Sequence, residues 1–238
     1  MAEPTRTEQV TTDDGDFDLH VWIPDQGSGP GVLLIQEIFG VGDYIKAVAA
    51  RLARDGYVVA APDVFWRISP GWAADHDEAG LTASFELVQR FDAEAGVGDC
   101  VTALGRLRDL PETRGGVGVL GFCLGGTLAH LVGAAGDPDA VVSYYGSGVA
   151  GALDRLDEIT CPALYHFGGE DAFIASADVD AVRAAVEGSG REDLELHVQS
   201  GAGHAFDNHE APMFHDVTAA AAAWAVTQRF LAEHLHQA

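Results

Sequence analysis

Six residues, at 121–126, constrain the fold of this 238-residue chain more than any other part of its sequence. They read Gly-Phe-Cys-Leu-Gly-Gly, with an apolar run at 117–120 before them and an alanine-rich segment at 127–135 after them. The glycines on either side of Cys123 permit a turn that is too tight for side chains. The sequence therefore predicts a strand, a sharp turn with Cys123 at its apex, and a helix.

The predicted position of Cys123 also favours a reactive thiol. The first turn of a helix carries partial positive charge, which favours the thiolate over the thiol, and the thiolate is the nucleophilic form. Cys123 is therefore a candidate nucleophile. Cys100 and Cys161 have no such setting, so we expect them to be small buried side chains. Three cysteines indicate no disulfide framework.

Apolar runs of strand length alternate with helically spaced segments along the rest of the chain. We predict a hairpin at 8–12 and 16–23, then strands at 31–36, 57–61, 116–121, 140–145, 164–167 and 194–198. We predict helices at 43–55, 81–91, 97–109, 124–135, 176–187 and 212–235. This alternation predicts an α/β fold, in which a mainly parallel sheet has helices on both faces.

The chain shows no repeat, no linker and no change in composition, so we expect residues 1–238 to form a single domain. One segment, at 64–80, is irregular and rich in aromatic residues. Connections of that length without helix or strand are often functional. We therefore expect this segment to lie over a site.

The charge of the chain excludes several kinds of partner. It has 13 Lys and Arg against 37 Asp and Glu, a formal net charge of −24. Such a surface repels nucleic acid and anionic membranes.

No apolar stretch reaches the length of a membrane span, and no signal peptide is evident, so we expect a cytoplasmic protein. The acidic surface fits either a high-salt environment or an ordinary cell. The expected partner is a small-molecule substrate, and the expected assembly is a monomer or small homo-oligomer.

Two polar residues downstream of Cys123 complete a catalytic pattern. Asp171 follows the predicted strand at 164–167, and His204 follows the last predicted strand. Open α/β sheets place their sites at this carboxyl edge. His204 would take the thiol proton, and Asp171 would orient the imidazole. Glu170 is a rival for the acid, and Asp171 could instead only cap the helix that follows.

Backbone donors for an oxyanion are predicted beside the thiol. The N–H of Leu124 is the first on the helix after the turn, and the N–H of Ile38 follows the strand at 31–36. Phe39 and Tyr145 are expected to line the pocket, with core packing as the alternative. His209 and His215 do not have the spacing of metal ligands with His204, so we expect no metal there.

Together these residues resemble the dienelactone hydrolase family, also called carboxymethylenebutenolidases, within the α/β-hydrolases. The matching motifs are Gln36-Glu37-Ile38-Phe39-Gly40, Ala61-Pro62-Asp63, Phe91-Asp92, Gly121-Phe122-Cys123-Leu124-Gly125-Gly126, Tyr144-Tyr145-Gly146, Gly168 with Asp171, and Gly203-His204. The resemblance implies the α/β-hydrolase fold and hydrolysis of an enol ester or lactone through an acyl-cysteine, without a cofactor. It also implies that Glu37 lies beside the thiol and helps to set its protonation when substrate binds.

The sequence departs from the family at the arginines that hold the substrate's carboxylate. The four residues after His204 read Ala-Phe-Asp-Asn, and residues 69–88 contain no arginine. Arg67 and Arg90 flank that gap without obviously replacing the missing arginines. We expect Asp207 to repel a carboxylate. The chemistry of the family therefore transfers to this chain more directly than the substrate does.

Two alternative functions remain open at this point. The same triad would serve a thioesterase or a general carboxylesterase acting on a neutral ester, lactone or thioester. A hydrolase scaffold could also carry Cys123 as a reactive thiol in a binding or redox-sensing protein without catalysis.

Overall fold

The computed structural model describes residues 3–235, and its centre is an eight-stranded, mainly parallel sheet with helices on both faces. The strands are β1 (Arg6–Thr12), β2 (Gly15–Trp22), β3 (Gly29–Ile35), β4 (Val58–Pro62), β5 (Thr113–Phe122), β6 (Val141–Tyr144), β7 (Ala163–Gly168) and β8 (Leu194–Gln199). The helices are α1 (Asp43–Arg54), α2 (Glu78–Val88), α3 (Ala93–Arg108), α4 (Leu124–Ala135), α5 (Ser176–Gly188) and α6 (Val217–Leu235), with a 3₁₀ segment at Val149–Glu158.

The strand order is β1-β2-β4-β3-β5-β6-β7-β8. β1 and β2 form an antiparallel hairpin, and β2 pairs antiparallel with β4, whereas every other neighbouring pair is parallel. The central strands are apolar without alternation because helices cover both faces of the sheet. In β4, for example, all five residues are buried.

Three helices, α2, α3 and α6, begin at an aspartate whose side chain caps the first turn. Asp77 begins α2 and Asp92 begins α3, each accepting a hydrogen bond from an amide three residues later. Such side chains satisfy amides that have no partner inside the helix. Asp216 does the same for α6, where its Oδ1 accepts from the amides of Thr218 and Ala219.

The caps explain where the sequence-based helix boundaries are wrong. α6 begins at Val217 rather than at 212, because Asp216 is its capping side chain. α2 and α3 likewise begin three and four residues earlier than predicted. The 3₁₀ segment was not predicted at all, and it contains a kink at Ala152. The predicted hairpin, the parallel strands and the remaining helices are confirmed.

The parallel arrangement brings distant parts of the sequence to one edge. β3, β5, β7 and β8 run in the same direction, so the residues that follow each of them lie at the same edge of the sheet.

Among residues 3–235, no helix has the length and apolarity needed to cross a membrane. The single-domain assignment of residues 1–238 and the cytoplasmic location stay predictions.

Candidate active site

Cys123 lies at the turn between β5 and α4, in a backbone conformation that is unusual for any residue but glycine. Its φ is 54° and its ψ is −115°. The turn tolerates no side chains on the neighbouring glycines: a Cβ on Gly121 would lie 1.9 Å from the carbonyl oxygen of Gly125. A Cβ on Gly125 would lie 2.3 Å from the carbonyl oxygen of Ile35. The predicted sharp turn is therefore confirmed, and its glycines are sterically required.

Backbone strain is concentrated around this turn. In the described part of the chain, the non-glycine residues with positive φ are Cys123, Tyr145 and Ala205. Ala205 follows His204, and the ring of Tyr145 lies 5.1 Å from the imidazole of His204. Strained residues persist where the surrounding structure holds them, often at functional sites. Their clustering identifies this edge as the candidate site.

Asp171 holds His204 in a fixed orientation. Its Oδ2 lies 2.8 Å from Nδ1 of His204, and its Oδ1 accepts hydrogen bonds from the amides of Phe173 and Ile174 at 2.7 and 3.0 Å. The carboxylate is 1% exposed. The rival acid, Glu170, is an exposed residue. Of the two neighbouring acids, Asp171 is the one bound to the histidine.

The electrostatics of His204 favour its protonated form. Burial lowers the pKa of His204, but hydrogen bonds and charge from Asp171 and Cys123 outweigh burial and raise the pKa from 6.5 to about 10. Since Nδ1 is bound to Asp171, Nε2 is the nitrogen left for the thiol. The imidazolium is the form of His204 that these contacts stabilise.

The other two cysteines are in different surroundings. Cys123 is half-buried at a cavity, whereas Cys100 and Cys161 are buried in the core. Burial raises the pKa of Cys161 to about 11, and it raises the pKa of the Cys100 thiol further. Both observations agree with the prediction that Cys100 and Cys161 are packing residues.

Glu37 follows β3 and is nearly inaccessible, with 4% of its surface exposed. Nε2 of His76 lies 2.5 Å from its Oε1, and the side-chain amide of Asn208 donates to both carboxylate oxygens at 3.3 and 3.4 Å. Oδ1 of Asn208 accepts from the amide of Glu210, which fixes the orientation of the Asn208 side chain. Sequence analysis assigned no role to His76 or Asn208.

His76 belongs to the connection between β4 and α2, which is held against the residues that follow β3. The amide of Ala74 donates to the carbonyl of Phe39, and the indole of Trp72 donates to the carbonyl of Ile38. The ring of His76 also packs on the ring of Phe39, with centroids 4.2 Å apart. The aromatic connection expected to cover a site therefore lies beside Glu37.

A cavity of about 520 Å³ opens beside Cys123 and His204. Leu124, the first residue of α4, and Ile38 also line the cavity, and the role of their backbone N–H groups as oxyanion donors stays a prediction. Phe39 lines it as well. This volume is in the range of small-molecule sites.

Two sequence-based expectations about this cavity are wrong. Tyr145 does not line it, because its side chain is fully buried behind His204, with its hydroxyl 3.3 Å from that of Tyr44. Asp207 does not face it either: it is buried and accepts a hydrogen bond from Tyr44 at 2.9 Å. Burial raises the pKa of Asp207, which further weakens the repulsion expected from it.

Within residues 3–235, no group of three or more His, Cys, Asp or Glu side chains is arranged to hold a metal ion. His209 and His215 lie near each other, with ring centroids 6.4 Å apart, and line a separate pocket of about 290 Å³ with Asp207.

Comparison with known proteins gives consistent matches over most of the chain. The sequence model of the Dienelactone hydrolase family matches residues 17–235. A carboxymethylenebutenolidase of Pseudomonas putida is 38% identical over 192 residues, 80% of each chain. Carboxymethylenebutenolidase 1 of Cupriavidus pinatubonensis is 34% identical over 220 residues, 92% of each chain. In fold, the chain is similar to a dienelactone hydrolase-like promiscuous phosphotriesterase, P91, from metagenomic libraries, with a TM-score of 0.79, 24% identity, and 97% and 98% of the two chains covered.

Proposed function

The chain belongs to the dienelactone hydrolase family and is a hydrolase; from this premise we propose that it cleaves an enol ester or lactone through an acyl intermediate on Cys123. One observation carries the proposal. The half-buried thiol projects from a strained turn into a cavity, beside an imidazole that is bound to a buried carboxylate. This is the arrangement of nucleophile, base and orienting acid that acyl transfer requires.

In the first step, His204 carries the proton and the Cys123 thiolate attacks the carbonyl carbon. The carbonyl electron pair moves to oxygen, giving a tetrahedral oxyanion. The backbone N–H groups of Leu124 and Ile38 are proposed to donate to that oxygen. Donors that are already oriented toward developing charge supply a large part of many rate enhancements.

In the second step, the tetrahedral species collapses and the bond to the leaving oxygen breaks. His204 gives its proton to that oxygen, which releases an enol and leaves the acyl group on sulfur. Water then attacks the thioester with His204 as general base, and the thiolate departs. An enol isomerises to a ketone and cannot attack the thioester again, so a cysteine nucleophile suits this class of substrate.

Glu37 is proposed to influence the protonation of Cys123 from the cavity wall. Its carboxylate lies next to the site with a negative charge that opposes a second one on sulfur. His76 and Asn208 hold the carboxylate by hydrogen bonds and so define where that charge lies. They are positioning residues in this proposal.

The proposal is tested with three substrates that share one acyl group: an enol ester, an aryl ester and an acyl thioester. Wild type should hydrolyse the enol ester with the highest kcat/KM, and Cys123→Ala should lose activity on all three. A higher kcat/KM for the thioester would instead favour a thioesterase. Alkylation of Cys123 without turnover of any substrate would favour a binding or sensing role. Hydrolysis by Cys123→Ala at the wild-type rate would refute the proposed mechanism.

A further inference from the structure

No lysine or arginine side chain lines the cavity beside Cys123. The chain has 13 Lys and Arg residues, all of them between residues 3 and 235, and none of them lines the cavity. Arg67 lies in the same connection between β4 and α2 as His76, but its side chain binds Asp99 and Asp14. Arg51 lies over the ring of Trp224, 3.8 Å from its centroid, and lines a separate pocket with Asp207. No lysine or arginine is therefore in place to bind a carboxylate on the substrate.

The charged groups that line the cavity, apart from two histidines, are acidic: Glu37, Asp77 and Glu78. The donors near Glu37 are already engaged, since His76 and Asn208 both bind its carboxylate. The imidazole of His204 is bound to Asp171 through Nδ1 and lies with Cys123 at the cavity wall. A carboxylate entering this cavity would lose water, find no lysine or arginine to bind, and approach the three acidic side chains.

Apart from Ser147 and Cys123, the rest of the lining is apolar, and much of it comes from two sides. On one side, Leu81, Phe85 and Val88 of α2 are spaced so that they share one face of the helix, and all three line the cavity. On the other side are Phe173, after β7, and the neighbouring Met213 and Phe214, before α6. The rings of Phe173 and Phe214 are 6.2 Å apart and nearly perpendicular.

Several of these apolar side chains are exposed. Phe85 is 42% exposed, Phe173 52% and Met213 74%, and all three border the same opening. Clustered exposed apolar groups of this kind mark surfaces that a ligand covers. A cavity of about 520 Å³ has room for an acyl group well beyond acetyl.

From these observations we propose that the substrate is a neutral ester or lactone with an apolar group beside the scissile bond, held between Phe85 and Phe173, and that a free carboxylate is excluded. The inference rests on the proposed function, because it assumes that the bond is cleaved at Cys123. It assigns substrate selection to α2 and to the residues around Phe173 and Met213.

The direct test is a matched pair of enol lactones that carry either a carboxamide or a carboxylate at the same carbon. The two have nearly the same shape and differ in charge. The expected kcat/KM is at least about tenfold higher for the carboxamide. Equal or better turnover of the lactone that carries the carboxylate would overturn the inference.

Acyl chain length gives a related test. In a series of enol esters, kcat/KM should rise about two- to fourfold for each added acyl methylene until the cavity is full.

A charge placed in the apolar wall gives the second test. Phe85→Arg should move the carboxylate-to-carboxamide ratio of kcat/KM toward the carboxylate by about tenfold, and the uncharged control Phe85→Gln should not. Added salt should reduce this change in the kcat/KM ratio, because Phe85 borders the opening of the cavity and salt screens exposed charges. An unchanged ratio in Phe85→Arg would contradict the electrostatic basis of the exclusion.

These outcomes separate the inference from the proposed function. Cys123→Ala is assayed on both lactones. Loss of both activities, together with a preference for the carboxylate in wild type, would overturn only the inference. Retention of both activities would overturn the mechanism at Cys123.

Discussion

At the scale of single residues, the choice between two neighbouring acids decides how the site works. Asp171 is buried and its Oδ1 is held by two backbone amides, which leaves Oδ2 directed at His204. Glu170 is exposed. The sequence motif favoured Asp171 as the acid but did not exclude Glu170. The direction of a side chain after a strand depends on backbone hydrogen bonds, and the sequence does not specify them.

Asp171→Asn should reduce kcat/KM by about 10²- to 10⁴-fold, because an amide neither fixes the tautomer of His204 nor stabilises its charge. Glu170→Gln is the matched control and should retain wild-type kinetics. Steady-state kinetics on an enol ester measures both. Comparable losses in the two variants would mean that the acid has been assigned to the wrong residue.

The same substitution should lower the pKa of His204, which its hydrogen bonds raise to about 10 despite burial. A raised pKa means that the imidazole of the wild-type protein stays protonated as the pH passes through 7. NMR titration of the His204 ring should show this, and the titration should move to lower pH in Asp171→Asn. A wild-type imidazole that titrates near 6.5 would contradict the charge pairing.

At the scale of secondary structure, the turn between β5 and α4 depends on close contact between backbones. Gly125 lies against the carbonyl of Ile35, so that α4 begins next to the end of β3. That approach brings Leu124 and Ile38 to the same cavity. The glycine pattern in the sequence was sufficient to predict this turn, because few other structures need glycines at those positions.

Gly125→Ala should destabilise the protein by about 3 kcal/mol or more, since the added Cβ would lie 2.3 Å from a backbone oxygen. Gly98→Ala is the control: that glycine is exposed in α3 with nothing within 4 Å of an added Cβ. It should stabilise the protein by about 0.5–1 kcal/mol. Urea unfolding measures both changes. Equal stability of the two variants would show that the turn is not sterically restricted.

The connection that carries His76 is the second element on which the site depends. His76→Ala should lower kcat about ten- to a hundredfold with a smaller effect on KM, because Glu37 loses a hydrogen bond that positions it. His76→Gln, which keeps a donor, should recover most of the rate. Limited proteolysis should cut the Ala variant faster at 63–77. Unchanged kinetics and proteolysis in His76→Ala would remove its positioning role.

The elements that the sequence did not predict share a physical cause. Long apolar runs and the glycine turn are local signals, and they predicted the strands and the edge of the sheet at which Cys123, Asp171 and His204 lie. His76 and Asn208 are polar residues in irregular segments, 132 positions apart, and only the folded chain brings them to Glu37. The burial of Tyr145 and Asp207 behind the cavity likewise depends on packing with Tyr44.

At the scale of the whole molecule, the charge of −24 opposes the compact state and repels anions. Ion pairs such as those of Arg6 with Glu8 and Glu112 offset only part of this repulsion. The acidic composition also agrees with a cavity that no lysine or arginine lines. The net charge can be read from the sequence, whereas only the folded structure shows that no lysine or arginine lines the cavity.

Because self-repulsion is screened by salt, the thermal midpoint should rise as NaCl increases from low concentration to about 1 M. Calorimetry with sucrose as an uncharged co-solute separates screening from general stabilisation. The rise should be steepest at low salt, where the screening length changes most. A midpoint that falls or stays constant with NaCl would show that surface charge does not limit stability.

The measurement that tests the central claim most directly is rapid-quench mass spectrometry of the protein during turnover of a neutral enol ester. We predict that the protein gains the mass of one acyl group, that the group lies on the peptide containing Cys123, and that it disappears when substrate is exhausted. Cys123→Ala should show neither the adduct nor turnover. Undiminished turnover by Cys123→Ala, with no acyl group on Cys123 in wild type, would contradict the account.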